Sequence, residues 1–459
     1  MTHYHFIGIG GTGMSPIAQI LVEKGHTVSG SDLIMSPMAF DLQKLGVRVS
    51  IGHDSQNVAG ADVVIRSSAI KDDNVEVLAA HNIGIPVLKR SDFLGELTRG
   101  KSVIAIAGTH GKTTTTSLMA WALFNLGEDP SYIIGGNSKN LKSNAHAGKG
   151  KYFVIEADEY DGMFLGLRPD FLIVTNIEHD HPDYYPTPKI YLNAFEQLIM
   201  LINSGGDLLV CRDDPHSESL LNHLQEGVHG YSYGFNAEAD FVAIKIRNIK
   251  DYGINFSAHR QNGYQMEDIQ MQVSGRHNVL NALAVLSAVN LMGFPVEKCR
   301  KAFESFIGVG RRFDILGTAA GITVIDDYAH HPTEIIATLA AARSRFPGRV
   351  VWTIWQPHTY SRTQALFRDF IKAFKDSDHV IVTEIFRSRE KEQDYSSAVL
   401  ASQIQHADAR FINDFKSIIT YLSQHLKSGD VVLVLSAGDA DQISSQIYQE
   451  LQNNEVRHG

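Results

Sequence analysis

Ala105-Ile106-Ala107-Gly108-Thr109-His110-Gly111-Lys112-Thr113-Thr114 carries an apolar run straight into a glycine turn, a lysine and two hydroxyls. The apolar part predicts a buried strand, and the residues beyond the turn predict a helix from Thr113 to Leu126. Glycines at 108 and 111 let backbone N–H groups turn toward phosphate oxygens. Lys112 offers a charge to β- and γ-phosphates, and the Thr113 hydroxyl is a ligand for Mg²⁺. The helix adds the positive end of its dipole. A phosphate loop ordinarily opens with a glycine five residues before the glycine that precedes its lysine. Ile106 stands there in this chain, so the loop is a shortened variant.

The same strand, glycine turn and helix occur at the amino terminus. His5-Phe6-Ile7-Gly8-Ile9-Gly10-Gly11-Thr12-Gly13 leads into Met14, Ile17, Ile20 and Leu21 at helical spacing, with Gly25 as a stop and a second strand from Thr27 to Ser31 ending in Asp32. This is a βαβ dinucleotide fingerprint with an acid where a ribose hydroxyl is read, and taken alone it suits NAD(P) or any nucleotide diphosphate. Asp62 to Ile70 reads as a further strand ending in Ser67 and Ser68. The block ends near Arg99-Gly100. A second block runs to about Gly310, with a helix from Asn278 to Met292 and a β-rich middle around Phe241 to Val273. A third block, from Arg311 on, alternates strands (Ile322 to Ile325, Val350 to Ile354, Val380 to Thr383, Val431 to Leu435) with helices. The fold class is therefore α/β in three reuses of one architecture.

A chain of 459 residues, 44% hydrophobic and 20% charged, predicts a globular protein of about two to four domains. Its net charge of -10 argues against a surface built for nucleic acid, and no apolar run approaches the roughly twenty residues of a membrane span. Two distant cysteines, Cys211 and Cys299, suggest neither a disulfide framework nor a zinc ribbon, and the amino terminus shows no signal-peptide pattern; a reducing cytoplasm is the expected location.

Chemistry-bearing residues gather at predicted strand ends. Tyr152 to Ile155 delivers Glu156-Ala157-Asp158-Glu159, and Phe171 to Thr175 delivers Asn176-Ile177-Glu178-His179-Asp180-His181. Beside a triphosphate, Glu156 is a carboxylate for Mg²⁺, and His181 a second ligand or an outer-shell orienter. A separate zinc or manganese site from Glu178, His179, Asp180 and His181 is the rival reading, although neighbouring residues of an extended segment cannot all face one ion. Asp326-Asp327-Tyr328-Ala329-His330-His331 can hydrogen-bond a ribose and stack on a base. His358 and Arg362, after the strand Val350 to Ile354, can hold a phosphate or carboxylate.

Taken in order, these segments resemble the Mur ligase family of peptidoglycan synthesis over essentially the whole chain. They are the amino-terminal glycine loop with Ser29 to Asp32, Gly108 to Thr114, Glu156 to Glu159, Thr175 to His181, Gly275 to Asn278, Gly310 to Phe313 and Asp326 to Pro332. Gln356-Pro357-His358 through Arg362-Thr363 is similar to the alanine-adding branch in particular. The resemblance implies three domains. Residues 1–100 would form a Rossmann-like domain for a UDP-sugar, 101–310 a central P-loop ATPase domain, and 311–459 a second Rossmann-like domain closing on nucleotide and amino acid.

It further implies that Gly10, Gly13, Asp32, His53, Ser67 and Ser68 lie near the uridine nucleotide. ATP would be held by Gly108, Thr109, His110, Gly111, Lys112, Thr113 and Thr114, with Asn278, Arg312, Asp327, Tyr328 and His330. Thr113, Glu156 and His181 would serve Mg²⁺ or Mn²⁺, Lys112, Glu156 and His181 would be the catalytic set, and His358 and Arg362 would face the muramoyl and amino-acid end. The implied reaction joins L-alanine to UDP-N-acetylmuramate through an acyl phosphate, in a monomer or homodimer without nucleic acid or membrane insertion.

Two departures from the family pattern matter. Thr359 stands where the alanine-adding enzymes often carry arginine, and Glu159-Tyr160-Asp161 is closer to the recycling ligase that joins L-Ala-γ-D-Glu-diaminopimelate to the same UDP-sugar. Phe195-Glu196-Gln197 occupies the region where other members carry a carbamylated lysine, an absence that fits the alanine-adding type. An NAD(P)-dependent oxidoreductase accounts for the first fingerprint and for nothing after it. His181 and His358 are the candidate bases for the amine.

Overall fold

A computed structural model describes residues 1–250, 252–261, 263 and 265–458. By its internal contacts the chain divides into two compact units. One comprises Met1–Glu178, Pro188–Val242 and Leu283–Ala302; the other comprises His179–Thr187, Ala243–Ala282 and Phe303–Gly459.

The first unit holds two sheets. In the smaller, five parallel strands lie in the order Arg48–Ile51, Thr27–Asp32, His3–Ile7, Val63–Arg66, Val87–Lys89. The order reverses beside His3–Ile7, and crevices at such a reversal are where open α/β sheets take ligands. The glycine turn follows His3–Ile7, and Ser67 and Ser68 follow the neighbouring strand, so both reach that crevice from strand carboxyl ends. Phe6, Ile7, Ile9, Ile17 and Val64 are buried beneath it.

The larger sheet places Ser102–Ala107 centrally, between Tyr152–Glu156 and Phe171–Val174, with Ser131–Ser138 and Ser143–His146 beyond the first and Asp207–Cys211 and His229–Gly234 beyond the second. Val103 to Ala107 and Phe171 to Val174 are buried throughout, as the unbroken apolar runs require of strands covered on both faces. Helix Lys112–Asn125 starts one residue earlier than the sequence suggests, because Gly111 at φ 83° closes the turn directly onto Lys112. The hairpin Ser131–Ser138 with Ser143–His146 is not anticipated by the sequence reading. Its glycines, serines and asparagines lack strand propensity, and a parallel neighbour, Tyr152–Glu156, holds its first strand in place.

In the second unit Asp314–Ala319 pairs antiparallel with Ile322–Asp327, followed by parallel Val431–Leu435, Val351–Trp355, His379–Val382 and Ala409–Phe411. Strand alternation sends Val351 and Trp355 into a core with Phe370 and Phe374 on one face. Trp352 and Ile354 enter a core with Ile418, Leu422 and Ile443 on the other. Fully burying each such side chain stabilises by about 1.5–3 kcal/mol. The β-rich middle resolves into Phe241–Ile249, Gly253–Arg260 and Gln265–Met271, and the helix near it runs Arg276–Leu291. No helix among the described residues is long and apolar enough to cross a membrane.

Candidate active site

The phosphate loop of the first unit is laced to the end of the next strand. Thr109 N–H donates to the Asn176 carbonyl at 2.9 Å, His110 N–H to Asn176 Oδ1 at 2.9 Å, and Thr175 Oγ1 to the His110 carbonyl at 2.6 Å. A Cβ on Gly108, at φ 130°, would fall 2.1 Å from Thr175 Oγ1, so the strand end comes this close only to glycine. Helix Lys112–Asn125 then presents first-turn N–H groups that have no intrahelical acceptor.

Lys112 Nζ donates to the carbonyls of Gly108 (2.6 Å) and Thr109 (3.0 Å) and pairs with Glu159 Oε2 at 2.9 Å. Burial works against its charge, but the carboxylates of Glu159 and Glu156 prevail and raise its pKa. Glu159, itself buried, also accepts from Tyr191 Oη at 3.2 Å. The sequence reading has Glu159 as a supporting or exposed acid; the fold makes it the buried counter-ion of the loop lysine.

Thr113 Oγ1 and Glu156 Oε1 lie 3.0 Å apart, and the Gly135 N–H fixes Glu156 Oε2 at 2.6 Å. A hydroxyl and a carboxylate so placed are two hard oxygen donors, which fits Mg²⁺. His181 belongs to the second unit, at φ 53°, with its N–H on Asp180 Oδ1 at 2.7 Å and its carbonyl accepting from Tyr184 and Tyr185.

In the glycine turn of the amino-terminal sheet, Gly8 and Ile9 N–H donate to the Ser31 carbonyl and Gly11 N–H to the Gly8 carbonyl. Asp32 accepts from Gly10 N–H at 2.8 Å and from Leu33 N–H at 2.8 Å, so this acid holds the turn itself. His53 Nδ1 lies 3.1 Å from Ser31 Oγ and 3.5 Å from buried Glu76. Hydrogen bonds from His5, Asn57 and Ser31 outweigh burial and hold the Glu76 carboxyl down at about 2.

In the second unit, Asp327 ends the strand Ile322–Asp327 and accepts from Phe313 N–H (2.6 Å) and Ala329 N–H (2.7 Å). Burial nevertheless pushes its pKa up to about 6, against the pull of Arg312. The Arg312 guanidinium lies 4.8 Å from the Tyr328 ring and 3.7 Å from Glu334, whose carboxylate also caps the His330 N–H at 3.0 Å. Arg312, Asp327, Tyr328 and His330 are thus brought together. Asn278 bonds instead to the Ser274 carbonyl and to Asn281. Next to it, His277 is lowered to about 4 chiefly by burial, with Glu334 and Arg312 within electrostatic reach.

Arg362 Nε meets buried Asp180 at 2.8 Å, and Arg362 Nη1 meets His358 Nδ1 at 2.9 Å. Burial favours a neutral Asp180, but Arg362 and His181 hold its carboxyl well below the ordinary range. Burial, then His330 and Arg362, lower His358 to about 2. A guanidinium can only donate, so Nδ1 of the neutral ring accepts and Nε2 carries the proton. Thr359 sits at φ 66°, its N–H on the Phe386 carbonyl at 2.9 Å, while Glu390 accepts from the N–H of Tyr360 at 2.5 Å. Asp180 was named in the sequence only within the rival metal cluster, and Glu334 and Glu390 not at all, since their partners lie far along the chain or are backbone groups.

Three family models match in order: the Mur ligase family catalytic domain at residues 3–102, the Mur ligase middle domain at 106–289, and the Mur ligase glutamate ligase domain at 311–438. Among curated proteins, the UDP-N-acetylmuramate–L-alanine ligase of Geobacter sp. (strain M21) is 42% identical over 451 residues, 97% of each chain. That of Acetivibrio thermocellus is 39% identical over 454 residues, 98% of this chain and 96% of the other. Among solved structures, the UDP-N-acetylmuramate–alanine ligase of Thermotoga maritima superposes with a TM-score of 0.82 at 29% identity, covering 99% of this chain and 100% of that one. A murein peptide ligase from Psychrobacter arcticus follows at 0.73 and 26%, covering 99% of both. With the two glycine turns, the Lys112 site and the Arg312 cluster all falling inside these matches, the chain belongs to the Mur ligase family.

Proposed function

We infer that this chain joins the amine of L-alanine to the lactyl carboxylate of UDP-N-acetylmuramate in an ATP-driven ligation. The observation that carries this reading is the end-to-end identity of 42% with a curated L-alanine ligase. The alanine-type segment Gln356 to Thr363 agrees with it, and the alanine ligase fold matches more closely than the peptide-recycling one, 0.82 against 0.73.

A carboxylate oxygen attacks the γ-phosphorus, the bond to the ADP oxygen breaks, and the resulting acyl phosphate is attacked by the amine with loss of inorganic phosphate. Two anions must meet in the first step, so the residues' main task is charge neutralisation. Lys112 supplies a cation held at the mouth of the helix by Glu159, and the first-turn N–H groups supply dipoles. Thr113 and Glu156 would hold Mg²⁺, which when bound polarises the phosphate oxygens. His181 is assigned to the same metal chemistry from the resemblance.

Gly10, Gly13, Asp32, His53, Ser67 and Ser68 are assigned to the UDP-sugar, and Asn278, Arg312, Asp327, Tyr328 and His330 to the nucleotide. Arg362 and His358 are assigned to the amino-acid end. There His358, with its proton on Nε2 and its pKa near 2, is a donor to a carboxylate rather than a base. His181 remains a candidate for taking the amine proton where it acts as an outer-shell orienter and does not itself ligate the ion.

The test is phosphate release from Mg-ATP and UDP-N-acetylmuramate with L-alanine or with L-Ala-γ-D-Glu-diaminopimelate, with product mass measured. Turnover with L-alanine supports the reading. Turnover with the tripeptide alone replaces it by the recycling reaction, and turnover with neither removes both.

A further inference from the structure

The amino-terminal glycine turn lacks the lysine that its counterpart carries, and most of its dipoles are already engaged. The N–H groups of Gly8, Ile9, Gly10 and Gly11 donate to Ser31, Ser31, Asp32 and Gly8. The Asp32 carboxylate at Gly10 adds a negative charge that opposes a diphosphate. What remains to receive an oxyanion is the Thr12–Gly13 end of the turn, and there the structure brings in a cation from elsewhere.

A Cβ on Gly13 would fall 1.1 Å from Arg90 Nη1 and 2.4 Å from Arg90 Cζ, so the guanidinium lies directly on this glycine. Gly13 is not among the glycines of positive φ, so its lack of a side chain serves the close approach of Arg90 rather than a backbone conformation. Arg90 opens the helix Arg90–Leu97, and its side chain is only 18% exposed. Burial lowers its pKa and Asp158 raises it. Its Nη2 meets Asp158 at 3.2 Å and its Nε meets Met163 Sδ. Among the described residues no acceptor takes Nη1, the nitrogen over Gly13. The other arginine of this sheet's ligand edge, Arg66, is committed to Asp72 and the Ile70 carbonyl.

We propose that Arg90 is the cation of the uridine-nucleotide site, donating from Nη1 to the diphosphate held at Thr12–Gly13. This rests on the UDP-sugar reading of the preceding subsection. The same guanidinium touches Asp158, two residues beyond Glu156 and one before Glu159, so the residue that binds the diphosphate also abuts the segment serving the phosphate loop.

Titration calorimetry of the full chain with UDP, UMP and UDP-N-acetylmuramate tests it. Arg90→Ala weakens UDP and UDP-N-acetylmuramate about 10- to 100-fold, the range of a charged hydrogen bond, and UMP by less. Arg90→Lys recovers part of the loss, and ATP affinity stays within about twofold. Asp158→Asn, which breaks the same bridge from its other side but keeps the guanidinium, leaves UDP affinity equal or tighter. Equal loss in Arg90→Ala and Asp158→Asn makes Arg90 a structural tie and overturns the proposal, as does wild-type UDP affinity in Arg90→Ala. Should Arg90→Ala fail to melt cooperatively, Arg90→Lys and Asp158→Asn decide: weakening in the first alone supports the proposal, and weakening in both or neither overturns it. A wild-type chain that binds none of the three ligands removes the UDP-sugar reading itself.

Discussion

The two glycine turns of the first unit start from the same local design, a buried parallel strand feeding a helix, and obtain their positive charge differently. At Gly108–Lys112 the lysine lies inside the turn and is fixed by two turn carbonyls and Glu159. At Gly8–Gly13 the turn bonds mainly to its own sheet, and the guanidinium comes from Arg90, across Gly13. On the proposed function, a cation built into the turn would sit where charge develops during phosphoryl transfer. One that arrives from another helix can hold a substrate phosphate that does not react. The comparison therefore separates kcat from KM.

The largest expected effect is at Lys112. Lys112→Ala lowers kcat for phosphate release about 10³-fold or more, the loss seen when a transition-state donor is removed, whereas Arg90→Ala raises KM for the UDP-sugar with kcat within a few-fold. Steady-state kinetics with each substrate varied checks both, and a kcat loss in Arg90→Ala as deep as that in Lys112→Ala would erase the distinction.

Asp180 extends the contrast to the second unit, where charge again comes from a distant residue, Arg362. Asp180→Asn leaves a buried guanidinium without its carboxylate and costs about 3–5 kcal/mol. Because the folded pKa of Asp180 is depressed, its contribution is complete above the unfolded value of about 4 and is lost only as pH falls toward the folded one. Denaturant melts at pH 7 and pH 5 should show the same gap between wild type and variant.

The two turns should also differ in tolerance to a methyl group. Gly108→Ala meets a strand end at a φ that alanine avoids and loses about 3 kcal/mol, together with activity. Gly13→Ala meets the far end of one side chain and loses about 1 kcal/mol, its main effect being a raised KM for the UDP-sugar. Thermal melts and kinetics of the pair rank the two.

The one expected gain is at Asp326, whose Oδ1 has no hydrogen-bond partner among the described residues and whose carboxyl is pushed up to about 7 by burial. A carboxyl with a raised folded pKa costs stability once pH exceeds its unfolded value, increasingly up to about 7. Asp326→Asn should therefore gain about 2 kcal/mol at pH 8, roughly a third of that at pH 5 and almost nothing at pH 3. A gain equal at all three pH values would locate its origin elsewhere.

Both turns were legible in the sequence because glycine, lysine and apolar spacing are local signals, and the strands bearing Glu156, Asp327 and His358 followed from apolar runs. Arg90 was not legible: nothing near it in sequence marks it, and its partners Gly13 and Asp158 lie 77 and 68 residues away. Glu159 and Asp180 looked like members of acidic runs until folding gave each a buried cation. Thr359 stands out in the sequence as a departure from the family pattern, but only the structure gives its left-handed φ and its bonds to Phe386 and the Glu390 cap beside it.

On the proposed function, the Lys112–Glu159 pair would act as an electrostatic filter on what enters. The lysine is paired with Glu159 and Glu156 stands beside Thr113, so these side chains present one cation and two carboxylates. A bare polyphosphate would meet net repulsion there, while one travelling with a divalent cation would bring the positive charge that balances Glu156. On the proposed function, selection of the metal complex over the free nucleotide would thus be set by charge balance before any phosphate oxygen makes contact.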